Sequence, residues 1–126
     1  MSTIEIGKFG EDSATSYLKK NGYRIVDRNV HVSHNEIDII ARDKTYLVFV
    51  EVKTRSTDNS LYSDYGTPAS AVTRSKQLRT LEAARKYLAT TKYSRLQPRF
   101  DVLEIYIDKN ERKVIKINHI TNAFGA

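Results

Sequence analysis

The sequence predicts an α/β domain in which a mixed central sheet is flanked by helices. Helical and strand-like segments follow one another in the order α-β-β-β-α-β-β. The length of 126 residues is close to the preferred size of one domain, and the 40% of hydrophobic residues can form one core. We therefore expect residues 1–126 to form a single domain.

The first half of the chain predicts a helix and a three-stranded meander. Apolar residues recur at helical intervals from Glu5 to Asn21, and Gly22 then ends the helix. The three segments that follow are rich in β-branched and aromatic residues and are joined by short polar links. They are Tyr23–Val30, Glu36–Arg42 and Tyr46–Thr54.

The second half predicts a loop, a helix and two strands. A polar loop runs from Ser56 to Thr67, and Pro68 closes it before a helix at Thr73–Ala89. The apolar stripe of that helix comprises Leu78, Leu81, Ala84 and Leu88. The final strands are Arg99–Ile107 and Lys113–Asn118.

Composition narrows the possible partners. The chain has 21 Lys and Arg against 15 Asp and Glu, a net charge of +6, which is a weak indication of a polyanionic partner. With no cysteine, any metal must be bound by oxygen or imidazole ligands. No apolar run approaches the ~20 residues of a membrane span and no signal segment opens the chain, so we expect a cytoplasmic protein without a membrane partner.

Charged residues in the third strand are the first candidates for chemistry. Leu47, Phe49, Glu51 and Lys53 alternate onto one face of that strand, and the strand reads as buried in the sheet centre. A charge in such a place is costly unless it is paired or bound to a metal. Glu51 and Lys53 therefore either form a structural salt bridge or belong to a functional site.

Two further acids favour a functional site. Asp38 on the second strand lies beside Glu51 if the two strands pair, and Glu11 lies on the helix face with Gly7, Ala14 and Leu18. The small residues Gly7, Gly10 and Ala14 would let that helix approach the sheet closely. Clustered carboxylates repel one another, and a divalent cation such as Mg²⁺ or Mn²⁺ would relieve the repulsion.

A helix acid, an aspartate on one strand and Glu-x-Lys on the next form the pattern of restriction-endonuclease-like nucleases. More widely, the chain resembles the YraN-like family, whose members are regarded as predicted endonucleases similar to Holliday-junction resolvases. The resemblance covers about residues 7–107. The motifs that carry it are Gly10-Glu11, Gly22-Tyr23, Asn29, Glu36-Ile37-Asp38, Phe49-Val50-Glu51-Val52-Lys53, Arg55, Pro68, Lys76 and Arg99-Phe100-Asp101-Val102.

One position departs from the family pattern. The residue before Glu-Ile-Asp is usually glycine, and here it is Asn35. Asparagine tolerates a positive φ better than most residues, so we expect the turn to be kept.

The pattern and the resemblance imply a Mg²⁺- or Mn²⁺-dependent endonuclease with a restriction-endonuclease-like fold. Asp38 and Glu51 would hold the metal with the carbonyl of Val52, and Glu11 would act directly or through water. Lys53 would orient the attacking water and stabilise the phosphate. The DNA backbone, branched DNA included, would be contacted by Arg55, Lys76 and Arg79.

Two other functions fit the same residues. A nucleic-acid-binding module could keep the fold and the charges without cleaving, as the partner of a repair or recombination factor. A structural or protein-interaction domain would use Glu51 and Lys53 only as an ion pair. Symmetric cleavage of a junction would require a homodimer.

His31, His34 and His119 lack the spacing of metal ligands and are expected at the surface.

Overall fold

The computed structural model describes residues 1–57 and 72–125 and confirms the predicted order of elements. The loop predicted at Ser56–Thr67 and Pro68 lies outside these residues, except that Ser56 and Thr57 belong to a strand, so the predicted start of the loop was wrong. The elements are α1 (Thr3–Lys20), β1 (Arg24–Val32), β2 (Asn35–Arg42), β3 (Tyr46–Thr57), α2 (Arg74–Thr90), β4 (Gln97–Asp108) and β5 (Lys113–Phe124).

The five strands form one mixed sheet in the order β1-β2-β3-β4-β5. Strands β1, β2 and β3 are antiparallel neighbours, which confirms the meander. Strands β3 and β4 run parallel, because the connection through α2 returns the chain to the same end of the sheet. Strand β5 then pairs antiparallel with β4. Strand β3 is therefore central, as its apolar sequence predicts.

One apolar layer lies on each face of the sheet. The alternation predicted for β3 is confirmed, since Val48 and Val50 pack under α1 while Leu47 and Phe49 pack under α2. The stripe predicted for α2 is only partly buried, because Leu78 is 50% exposed. No helix within the described ranges is long and apolar enough to cross a membrane.

Local contacts explain where the boundaries differ from prediction. Helix α1 begins early because Ser2 Oγ accepts the N–H of Glu5 at 3.1 Å and the Glu5 carboxylate accepts the N–H of Ser2 at 2.9 Å. The turn between β1 and β2 is kept, as predicted, but its positive φ is at Ser33 (57°) and not at Asn35, so only the expected conformation of Asn35 was wrong.

A buried polar network joins the start of β4 to α1. The Asp101 carboxylate accepts hydrogen bonds from Arg99 at 2.9 and 2.8 Å and lies 2.7 Å from His119 Nε2. The other ring nitrogen of His119 is 3.1 Å from the hydroxyl of Tyr17. The side chain of His119 is only 11% exposed, so its predicted surface position was wrong.

Candidate active site

Strands β2 and β3 separate where the predicted acids lie. In the described part of both strands, their backbone pairing is regular as far as Ile39 and Val50 and then stops. The same register, continued, would place Asp38 opposite Glu51. Instead, Oδ2 of Asp38 accepts the backbone N–H of Val52 at 2.8 Å. The carboxylate replaces a strand partner and is held in the fork between the two strands.

The fork also changes the direction of β2 side chains. Ile39 packs on the α1 face and Ile40 on the α2 face, as alternation requires. Ile37 also packs on the α2 face, although strict alternation along the strand predicts that it shares the α1 face with Ile39. The change falls where β2 is no longer paired with β3, although its pairing with β1 continues to Asn35.

The electrostatics of Asp38 are those of a carboxylate without a counter-charge. Burial, followed by the negative charge of Glu51, raises the pKa of Asp38 from 3.8 to about 7, while the hydrogen bond from Val52 opposes the rise. Glu11 and Glu36 add smaller contributions in the same direction. Within residues 1–57 and 72–125, no basic side chain forms an ion pair with Asp38. A cation at this point would therefore be stabilising.

Glu51 and Lys53 lie on the α2 face of β3 with 3.4 Å between Oε1 and Nζ. Their side chains are 17% and 31% exposed, so both can be reached from solvent. This ion pair is the contact that the salt-bridge alternative requires. It coexists with the repulsion between Glu51 and Asp38, because Lys53 pairs with Glu51 and not with Asp38.

Helix α1 comes closest to β3 at Gly10. A Cβ atom at this position would lie 2.1 Å from Oγ1 of Thr54, so a side chain does not fit without movement. Gly7 has nothing within 4 Å of such an atom, and its predicted part in the close approach was wrong. The contact at Gly10 places the next residue, Glu11, beside the strand that carries Glu51 and Lys53.

Glu11 is held by two side chains from β1. Its Oε1 accepts hydrogen bonds from Arg28 at 3.1 Å and from Asn29 Nδ2 at 2.8 Å. Arg28 also donates to Asp12 at 2.8 Å, and Asn29 has a positive φ of 51°. In the described part of the chain, no three Asp, Glu or His side chains are grouped closely enough to hold a metal. In the structure Asp38 and Glu51 lie close together, whereas Glu11 forms an ion pair with Arg28.

Glu104 of β4 is a buried acid that was not among the site residues predicted from the sequence. It lies directly opposite Lys53 in the parallel register, and its side chain is fully buried. The carboxylate accepts hydrogen bonds from Arg55 Nε at 3.2 Å and from the hydroxyl of Tyr106. The sequence does contain a signal for this contact, namely an acid between Leu103 and Ile105 in an otherwise apolar strand. A buried carboxylate needs a counter-charge or hydrogen-bond donors, such as Arg55 and Tyr106 provide.

The three residues predicted to contact DNA differ in their surroundings. Arg55 is 25% exposed and is paired with Glu104. Lys76 lies in the first turn of α2 and Arg79 one turn later, where the Arg79 carbonyl accepts a 3.4 Å hydrogen bond from Asn35. Neither Lys76 nor Arg79 forms an ion pair with an acid in the described ranges. Both are therefore open to an external anion.

Fold and site together define an α/β protein with a carboxylate pair and a lysine at the fork of two central strands. The sequence profile described as "Uncharacterised protein family UPF0102" matches residues 10–105. The chain belongs to this family, and the resemblance to YraN-like proteins is confirmed.

The chain is similar to relatives along almost its whole length. A UPF0102 protein of Caldanaerobacter subterraneus is 41% identical over 119 residues, which cover 94% of this chain and 93% of the relative. A UPF0102 protein of Prosthecochloris aestuarii is 43% identical over 125 residues, covering 97% and 94%. Among solved structures, an FdxN element excision controlling factor protein of Anabaena variabilis aligns with a TM-score of 0.41 at 15% identity, covering 87% of this chain and 98% of that one.

Proposed function

We propose that this protein is a Mg²⁺- or Mn²⁺-dependent endonuclease that hydrolyses phosphodiester bonds in structured or branched DNA. The observation that carries the proposal is the half-buried Asp38, without an ion-pair partner among the described residues, beside Glu51 at the strand fork. Such a pair of carboxylates is costly to leave without a cation.

The donor set fits a hard divalent cation. Mg²⁺ in proteins is commonly held by one or two carboxylates, with water and substrate phosphate completing its coordination. Asp38 and Glu51 would hold the ion, and the carbonyl oxygen of Val52 is a third donor. When bound, the cation would supply a more acidic water and neutralise charge on the scissile phosphate.

The side chains of the protein have separate tasks in this proposal. Lys53 stabilises the negative charge that develops on the phosphate and orients the attacking water. Glu11, fixed by Arg28 and Asn29, orients water from the helix side. The cations Arg55, Lys76 and Arg79 hold the phosphates on either side of the scissile bond.

The test is cleavage of a panel of branched and duplex DNA substrates with Mg²⁺ or Mn²⁺. We expect Asp38→Ala and Lys53→Ala each to lower the rate by about 100-fold or more, because both remove charge stabilisation at the reacting phosphate. Circular dichroism should show both variants folded. The controls Glu82→Ala and Lys109→Ala, at exposed positions on α2 and after β4, should cleave normally. Cleavage that survives EDTA, or that both Asp38→Ala and Lys53→Ala retain in full, would contradict the proposal.

The cations Lys76 and Arg79 of α2, which form no ion pair with an acid in the described ranges, favour one second candidate function. A binding module that does not cleave would use them to hold nucleic acid. It predicts DNA binding that is unchanged by Mn²⁺ and no cleavage of any substrate in the panel.

Binding through phosphates predicts a steep dependence on salt. Each contact to duplex DNA contributes about −0.9 to the slope of log affinity against log salt concentration. Arg79→Ala should therefore make the slope less negative by about 1, and the same is expected of Lys76→Ala. Fluorescence anisotropy in EDTA measures this without cleavage. Lys19→Ala, at the exposed end of α1, is the matched control. An affinity that does not change with salt would favour a protein partner instead.

A further inference from the structure

A second cleft lies at the end of the sheet away from the strand fork. It has a volume of about 570 Å³. Its lining comprises Gly22, Arg24, Arg42, Asp43, Lys44 and Thr45. Arg42 is four residues beyond Asp38 on β2, roughly 13 Å away at about 3.3 Å per residue. The cleft is therefore separate from the carboxylate pair.

Two arginines lie side by side in the lining of this cleft. Arg24 of β1 and Arg42 of β2 are direct partners in the antiparallel register, a position at which like charges are destabilising. Neither guanidinium forms an ion pair with a carboxylate in residues 1–57 and 72–125. The contacts of Arg42 are a 3.3 Å hydrogen bond to the carbonyl of Asp43 and the ring of Tyr93 at 5.9 Å.

Asp43, the acid in the cleft lining, forms no ion pair with Arg24 or Arg42 among the described residues. Oδ1 of Asp43 accepts the backbone N–H groups of Thr45 and Tyr46 at 2.8 and 2.7 Å. These hydrogen bonds hold the pKa of Asp43 below its ordinary value, and the one from Tyr46 contributes most. The carboxylate is thus committed to the turn between β2 and β3. Lys44 beside it adds a third positive charge to the cleft.

We propose that this cleft binds a phosphate group between Arg24 and Arg42. A guanidinium offers N–H donors in a planar arrangement that matches phosphate oxygens, and two neighbouring guanidinium groups would share one anion that offsets their mutual repulsion. The phosphate belongs either to a small phosphorylated compound or to a nucleic-acid backbone. The inference does not depend on the proposed nuclease activity, since it uses none of the residues of the strand fork.

The test follows the arginine side-chain Nε–H signals by NMR, at constant ionic strength and in EDTA, as pyrophosphate is added to the full chain. The signals of Arg24 and Arg42 should shift together and saturate. Arg24→Gln and Arg42→Gln should each lower the affinity at least tenfold while leaving the protein as stable as before at low salt, because each removes one of two repelling charges. Arg85→Gln, in a groove between α2 and β5, should bind as the parent does.

A short DNA oligonucleotide in place of pyrophosphate separates the two sources of the phosphate. Shifts of Arg24 and Arg42 with pyrophosphate alone assign the cleft to a small compound, and shifts with DNA alone assign it to a backbone phosphate. Shifts with both show that the cleft recognises the phosphate itself. The absence of saturable shifts in both titrations, or shifts that both glutamine variants retain, would overturn the inference.

Discussion

Asp38→Asn is expected to stabilise the metal-free protein at pH 8. The variant removes a carboxylate that burial and Glu51 disfavour, while the amide oxygen can still accept the N–H of Val52. A pKa raised from 3.8 to about 7 corresponds to a gain of up to about 4 kcal/mol, at 1.36 kcal/mol per pKa unit. Urea unfolding of the parent and the variant at pH 8 measures the difference.

The sign of the pH dependence follows from the same shift. Between pH 3.8 and about 7, folded Asp38 binds a proton more tightly than unfolded Asp38 does. The stability of the parent should therefore fall as the pH rises through this range, and the full penalty is present above it. The asparagine variant lacks this contribution, so the two proteins should have similar stability below pH 3.8.

Mn²⁺ should stabilise the parent and leave the stability of the asparagine variant unchanged. A ligand that binds only the folded state at 100 times its Kd adds about 2.7 kcal/mol by mass action. We expect millimolar Mn²⁺ to raise the Tm of the parent, and Asp38→Asn and Glu51→Gln to abolish the rise. Glu36→Gln, an exposed acid on the same strand, should keep it. No Mn²⁺ shift in the parent, with large losses of stability in Asp38→Asn and Glu51→Gln, would instead support a structural salt bridge at Glu51 and Lys53.

Asp101→Ala is expected to destabilise the protein by about 3–5 kcal/mol, the usual cost of removing one partner from a buried ion pair. The change leaves Arg99 without its carboxylate and the backbone N–H of Asn122 without its 2.9 Å acceptor. Chemical unfolding at pH 7 gives the size of the effect. Glu111→Ala breaks an exposed 2.6 Å ion pair with Lys113 and should cost less than about 1 kcal/mol.

Acid should weaken the contribution of Asp101. Burial alone would raise the pKa of Asp101, but hydrogen bonds from His119, Arg99 and the backbone of Asn122 outweigh it and lower the pKa below 3.8. The stability that it provides is therefore present above pH 3.8 and is lost as the pH falls through the lowered value. The difference between the parent and Asp101→Ala should shrink below that pH, and a constant difference would contradict this account.

The parts of the site that follow from local pattern could be predicted from the sequence. Alternation along β3 placed Glu51 and Lys53 on one face, and the meander placed Asp38 on the neighbouring strand. The direction of Ile37 could not be predicted, because nothing in the local pattern shows that pairing between β2 and β3 ends at Ile39. The contact of Arg55 with Glu104 could not be predicted either, because it depends on the parallel register of two strands that are far apart in the chain.

The missing side chain at Gly10 sets a dimension of the candidate site. With a Cβ atom 2.1 Å from Thr54 Oγ1, either the helix or the Thr54 side chain would have to move, and the consequences are largest if the helix moves. Glu11 would move with the helix, and its hydrogen bonds to Arg28 and Asn29 would pull on β1. The close approach of α1 to the central strand therefore depends on the hydrogen atom that Gly10 carries in place of a side chain, and a single methyl group there would force the two elements apart or displace Thr54.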